Sequence, residues 1–266
     1  MRRACRLLAT LALTASSFAA VADEPVDLEL VLAADVSLSM DLRELSLQRE
    51  GYAAAIESPE VMEAILSGYS GAIALVFMEW AGTGTQDVTV PWQRIATPGD
   101  ASRFAAAIRE APLSRARRTS ISSALLAAGE LFEGNGFTGF RQVIDVSGDG
   151  PNNQGKPVLE ARTEILARGI TINGLPMMLD PMPVDWYNVP DLDAYYRECV
   201  IGGFGSFYIP IQSIDEFGEA IRRKMVLEIA GWSPPARPVP AQFAGPTDYD
   251  CLAGEKRWMR RMQRFD

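Results

Sequence analysis

Histidine is missing from all 266 residues. That excludes Ser-His-Asp and Cys-His catalysis, imidazole acid–base chemistry and zinc sites with His ligands. Cysteine is scarce, at three residues, so any metal must be held by oxygen or by those few thiols. Oxygen ligands favour hard cations such as Mg²⁺, Mn²⁺ or Ca²⁺. Basic charge is also short: 25 Lys and Arg stand against 34 Asp and Glu, a net charge of −9. This argues against a nucleic-acid binder that relies on phosphate neutralisation, although a local basic patch is compatible with it. What is present is a core's worth of apolar residues, 48% of the chain, with 22% charged. Wholesale disorder is excluded, and the length suits one domain with additions or two small ones.

Long hydrophobic runs are also few. At the N-terminus Arg2, Arg3 and Arg6 precede "LLATLALTASSFAA", and "AVA" at Ala20–Ala22 offers a small-x-small cleavage site. The apolar stretch is short for a span of about 20 residues and is diluted by Thr and Ser. The pattern predicts a secretory signal peptide over 1–22 and a periplasmic or secreted product without a stable membrane span. Cleavage after Ala22 would remove three arginines, moving the net charge from −9 to −12, and would also remove Cys5. Cys199 and Cys251 then remain, and an oxidising compartment favours one disulfide between them; two buried free thiols are the alternative.

Along the mature chain, "VDLELVLAA" turns wholly apolar, as a strand covered on both faces does. A helix is expected from Asp41 to a break at Pro59. "AIALVFMEW" reads as a second buried strand and "DVTVPW", with Pro91, as an antiparallel edge strand. "GDASRFAAAIREA" and "TSISSALLAAGELF" have helical spacing. "RQVIDVSGDG" is a strand, "KPVLEARTEILARG" a helix stopped at Gly169, and "ITINGLPM" and "SFYIPI" two more strands. The last helix of the domain opens with Ser213 and Glu216 at capping-box spacing. This alternation predicts a three-layer, doubly wound α/β fold with a mainly parallel six-stranded sheet and one antiparallel edge strand. The domain covers 23–232. Residues 233–266 form a proline-rich tail, "SPPARPVPAQ", and a short basic helix with Trp258, Met259 and Met262 on its apolar side.

Ligands on such sheets bind beyond the carboxyl ends of the strands. Asp35 and Asp149 each follow a buried strand. In "DVSLSM", alternate side chains of an extended segment point one way, so Asp35, Ser37 and Ser39 present three oxygens together. In "RRTSISSAL", Thr119 is either a helix N-cap or a further ligand. Two carboxylates and three hydroxyls suit Mg²⁺ or Mn²⁺, with Ca²⁺ less so. Arg117, Arg118 and Asn152 are placed at the ligand-binding rim. Asp145 reads as a buried hydrogen-bonding group, Glu79 and Trp80 as packing residues, and the insertion Asp180–Tyr196 as a ligand-facing loop or a lid.

"DVSLSM", "RRTSISSAL" and "SGDG", in this order and after these elements, resemble the three segments of the metal-ion-dependent adhesion site of von Willebrand factor A-type domains. The resemblance covers about 26–230. More narrowly, the leader, "MEWAG", "CVIGG" and "CLAGEKRW" resemble an uncharacterised family of exported bacterial proteins with that fold. The resemblance implies that Ser37 and Ser39 ligate directly, Asp35 mainly through water, and Thr119 and Asp149 according to state, with a partner's carboxylate completing the shell. It implies that ligation couples to movement of the last helix, 213–230. The departure is Arg117 and Arg118, where many relatives have glycine. The function implied is a binding module for a protein or acidic ligand, not an enzyme. An envelope assembly factor with a structural metal and a metal-dependent hydrolase are the alternatives.

Overall fold

The computed structural model of the chain describes residues 22–179, 189–231 and 249–263. The expected leader up to Val21, the first part of the acidic insertion and the proline-rich stretch lie outside them.

Strand β2 (Leu28–Asp35) is buried at all eight positions, and so is β3 (Ile73–Trp80). Their unalternating sequences are explained by cover on both faces. Leu28, Leu30, Leu32 and Ala34 join one core cluster; Val31 and Ala33 join the other. The first cluster lies under α1 (Leu42–Glu57), α2 (Pro59–Leu66), α3 (Pro98–Glu110) and α7 (Phe217–Ala230). The second lies under α4 (Ile121–Glu130), α5 (Val158–Ala167) and α6 (Leu192–Tyr195), which runs on into a π-helical turn, Tyr196–Val200. The sheet order is β4-β3-β2-β6-β7, with β4 (Gln86–Ile95) antiparallel at one edge and β6 (Gln142–Gly148) and β7 (Thr171–Pro176) parallel. A small parallel pair joins β1 (Glu24–Val26) to β5 (Phe137–Gly139).

Six strands are expected from the sequence; five pair continuously. The sixth, "SFYIPI", follows β7 only through isolated bridges, Gly174 to Tyr208 and Met177 to Ile211. Pro210 has no N–H for a ladder, and Gly203 and Gly205 hold positive φ just before it. The capping box expected at Ser213 and Glu216 is not made, because residues Ile214–Glu216 wind as a 3₁₀ turn. A capping box forms instead at α1, where Asp41 accepts from the Glu44 N–H at 2.8 Å and Glu44 accepts from the Asp41 N–H at 2.7 Å. The Pro59 break falls as expected, with Ser58 capping α2.

A tail helix, α8 (Ala253–Met262), follows the undescribed stretch. Its Met259 and Met262 are exposed, contrary to the expectation that they pack. The chain is fastened just before it: the Cys251 and Cys199 sulfurs are bonded, with Cα atoms 5.6 Å apart and a sequence separation of 52. Thiol titration of denatured, unreduced mature protein should therefore find neither cysteine free, and two free thiols would refute the bond. Closing a loop of that length is worth about 4 kcal/mol on the chain-entropy account, so the reduced protein should unfold in clearly less urea. Among the described residues no helix is long and apolar enough to cross a membrane.

Candidate metal centre

The carboxyl ends of β2 and β6 bring the three oxygen-bearing segments to one place. Asp35 closes β2, and its Oδ1 accepts from the Ser37 N–H at 2.7 Å, turning the chain so that both serine hydroxyls follow. Ser37 Oγ and Ser39 Oγ are 2.7 Å apart, and Ser39 Oγ donates to Asp149 Oδ1 at 2.8 Å. The Leu38 N–H donates to Ala116 O and the Ala116 N–H to Val36 O, tying this loop to the second segment. Thr119 and Asn153 are cross-bonded: the Thr119 N–H donates to Asn153 Oδ1 and the Asn153 N–H to Thr119 O. This ties the second segment to the third. The N-cap of α4 is Ser120, which accepts from the Ser123 N–H. The Thr119 hydroxyl is therefore not needed as a cap, and Thr119 lines the cleft.

Ser37, Ser39, Thr119 and Asp149 all line one cleft of about 1020 Å³. Asp35 lies behind it with 0% exposure, deeper than its place at a strand end implies. Gly148 explains how β6 approaches so closely: a Cβ there would stand 3.0 Å from both Asp35 Oδ2 and Tyr196 Oη. Among the described residues no cation is paired with either carboxyl group. Asp35 Oδ2 is buried with no hydrogen-bond partner. Burial, and then the charge of Asp149, push the Asp35 carboxyl well above the usual carboxylate range, against the pull of the Ser37 bonds. Burial also lifts Asp149 to about 6, opposed by the Ser39 hydroxyl and assisted by Glu44. Burial and these same two carboxylates raise the Tyr196 hydroxyl. A cation is what this arrangement would accept. Among the described residues no three Asp, Glu, His or Cys side chains gather at one point, so a thiolate or all-acid cage is not on offer. The donors are hydroxyls and two carboxylates, suited to a hard divalent ion.

The rim differs in part from expectation. Asn152 is fully buried. Its Oδ1 accepts from the Ser122 N–H at 3.0 Å, and its Nδ2 donates to Glu255 Oε1 at 2.7 Å and Lys156 O at 3.2 Å. It is a brace between α4, the β6 loop and α8, and its neighbour Asn153 is the residue in the cleft. Arg117 and Arg118 do line the cleft. Arg118 holds φ +79°, the one positive value at a non-glycine among the described residues. That conformation costs a residue with a Cβ on the order of 1 kcal/mol.

The other candidate residues lie elsewhere. Glu79 pairs with Arg49 at 2.7 Å, and Trp80 is buried with its Nε1–H donating to Ala33 O at 3.1 Å. Asp145 is buried against Lys224 Nζ at 2.5 Å. The sequence reading missed Gly148, Asn153, Trp258 and Arg261. The glycine before "DG" carries a local signal and Asn153 lies in the same loop, whereas Trp258 and Arg261 are brought in by the distant α8.

The sequence pattern of a family described as "Protein of unknown function (DUF1194)" matches residues 25–233. Comparison with curated protein sequences gives no match. Among solved structures, the fold is similar to proximal thread matrix protein 1 from the mussel byssus, determined with a zinc-occupied MIDAS motif (13% identity, 79% of this chain and 47% of that one, TM-score 0.54). It is similar to the pilus adhesin SpaC from Lactobacillus rhamnosus GG (10% identity, 78% and 32%, TM-score 0.56). It is also similar to a von Willebrand factor type A protein from Catenulispora acidiphila (13% identity, 77% and 43%, TM-score 0.54). The chain spans less than half the length of each. Identities this low carry the fold and no more. With the order of its sheet, the two helical layers and the match over most of its length, the chain belongs to the DUF1194 family and has a von Willebrand factor A-like fold.

Proposed function

We propose that this protein is an exported binding module that recognises a protein or other acidic ligand through a metal-ion-dependent adhesion site. Asp35, Ser37, Ser39, Thr119 and Asp149 would hold the ion, Mg²⁺ or Mn²⁺. The observation that carries the reading is the buried, partnerless Oδ2 of Asp35 beside a second raised carboxyl, at the base of an open cleft. The zinc-occupied MIDAS motif of the mussel protein supports a divalent ion at this place in the fold. The domain is assigned to 23–232, after a leader of 1–22 that directs the chain to the periplasm or beyond, and before a tail of 233–266.

A bound hard cation would supply concentrated positive charge and a coordination position open to a partner's carboxylate. The chain's own part is to prepare that place. Ser37 fixes Asp35 through its N–H, Ser39 fixes Asp149 through its hydroxyl, and the Thr119–Asn153 cross-bond keeps the three loops in register. Both carboxylates have structural work at the metal, and the chain has no histidine to act as a base, so a binding role is favoured over an enzymatic one.

The test is calorimetry on mature protein. One Mg²⁺ per chain is expected, with modest affinity because Mg²⁺ dehydrates reluctantly. Asp149, at about 6, must lose its proton to serve as a ligand. Affinity should therefore fall by at least about tenfold for each pH unit below 6, because the raised Asp35 carboxyl has to lose its proton as well. A folded sample that shows no Mg²⁺ or Mn²⁺ heat at millimolar metal would defeat the reading. Thr119→Ala should weaken partner binding more than it weakens folding.

A further inference from the structure

One wall of the cleft carries positive charge that the metal centre does not use. Arg117 and Arg118 come from the loop before α4 and Arg261 from α8, and all three line the cleft beside Trp258. The Arg118 guanidinium carbon lies 3.3 Å from the centre of the Trp258 ring, and that of Arg261 5.7 Å. Arg118 occupies a left-handed backbone position that glycine would fill without strain, so its side chain must supply something in return.

The wall is also firmly built. α8 is held by the Cys199–Cys251 bond and by the bond from Asn152 Nδ2 to Glu255 Oε1. At Gly254 the backbone packs so closely that a Cβ would stand 2.0 Å from Asn152 O. Met177, Met178 and Leu179 give the same cleft an apolar side, while Asp41 and Glu44 add negative charge elsewhere along it.

We propose that Arg117, Arg118 and Arg261 form an anion subsite next to the metal centre, and that the ligand is a peptide carrying two acidic groups. One carboxylate is directed to the metal centre and the other to the arginine wall, with apolar side chains between them over the methionines. The inference rests on the metal-centre reading above and narrows its ligand. Guanidinium forks pair carboxylates in two-point contacts, and the negative lip restricts the second acid to the arginine side. In a protein of net charge −9, local positive charge of this kind is what draws an anion in.

The test uses the mature chain in millimolar Mg²⁺ with two peptides, acetyl-Asp-Leu-Asp-amide and acetyl-Asp-Leu-Asn-amide. The doubly acidic peptide should bind wild type about tenfold more tightly than the singly acidic one. Arg118→Gly should bring that ratio close to one while the protein still takes up Mg²⁺ and melts at the same or a higher temperature, because strain is relieved. Arg261→Gln, at a half-buried position of α8, should lower the ratio as well. Equal binding of the two peptides by wild type, an unchanged ratio in Arg118→Gly, or no binding of either peptide overturns the subsite. A Mg²⁺ titration of the same samples separates the two levels. Mg²⁺ bound with a ratio of one means that the arginine subsite alone fails; no Mg²⁺ uptake by wild type means that both fail.

Discussion

Asp35→Asn is expected to remove Mg²⁺ binding and at the same time to make the metal-free protein more stable. Asp35 is fully buried, one carboxylate oxygen has no partner, and burial and Asp149 both work against its ionisation. In the metal-free protein at neutral pH that carboxyl group is a liability, because a buried charge without a partner costs free energy and so does taking up a proton to remove it. Asparagine keeps the acceptor for the Ser37 N–H and removes the charge. A gain of about 1–2 kcal/mol is expected, a rise in melting temperature of about 2–8 °C for a domain this size. Mg²⁺ affinity should fall about hundredfold or more, equivalent to about 3 kcal/mol of lost binding. Thermal melts with and without Mg²⁺ measure both effects. A residue kept for structure alone would behave in the opposite way, losing stability on substitution and leaving metal uptake unchanged. Alanine is the less informative change: the burial of Asp35 means that truncation leaves a void and frees the Ser37 N–H as well.

A second large effect is expected far from the cleft, where α7 meets β6. Lys224, Asp145 and Glu228 are all buried, with Lys224 Nζ 2.5 Å from Asp145 Oδ1 and also paired with Glu228. Asn173 Nδ2 donates to Glu228 Oε1 at 2.9 Å. Two acids share one ammonium, so an excess proton belongs to the pair. Burial first, and then the charge of Asp145, lift Glu228 to about 7 despite Lys224. An acid whose pKa is raised on folding binds protons more tightly in the folded state. Its contribution is thus greatest at low pH and is lost as pH climbs from the unfolded value, near 4.5, to about 7. Over that window the loss approaches about 3 kcal/mol. Glu228→Gln keeps an acceptor for Asn173 and leaves Lys224 with Asp145 as a one-to-one pair. Urea denaturation at pH 5 and pH 8 should show the variant close to wild type at the lower pH and clearly more stable at the higher. An unchanged pH slope in the variant would show that Glu228 is ionised throughout. Asp35 and Asp149 add to the slope in the same direction, and Mg²⁺ should offset only their share. The same network bears on α7, the helix that the family resemblance expects to move on ligation: any such movement has to carry Lys224 away from Asp145.

Much of this fold is legible because its signals are local. The unbroken apolar runs of β2 and β3 mark strands with cover on both sides, Pro91 marks the open edge of β4, and Gly169 ends α5 at φ +78°. The oxygen-bearing residues are legible for the same reason: each directly follows a strand or precedes a helix, and the sheet alone brings them to one end. What the sequence hides is pairing at long range. Nothing near Lys224 announces a partner on β6, and nothing near Trp258 announces Arg118, which is 140 positions away and reached only because Cys251 and Asn152 hold α8 in place. Asn152 and Asn153 are adjacent and chemically identical, so only the direction of the backbone decides which one braces and which one faces the cleft. Asp41 was legible as a helix start, but Ser213 offered the same spacing and formed no box, since a 3₁₀ turn took its place.

The central claim, that the β2 and β6 loops hold one divalent ion, is tested most directly by anomalous diffraction from crystals of the mature protein grown in Mn²⁺. The account predicts a single strong peak about 2.1–2.2 Å from Ser37 Oγ and Ser39 Oγ, beside Asp35 and Asp149, and its disappearance in Asp35→Asn. A well-ordered map with no peak among these residues, or with Mn²⁺ bound only elsewhere on the molecule, would contradict it.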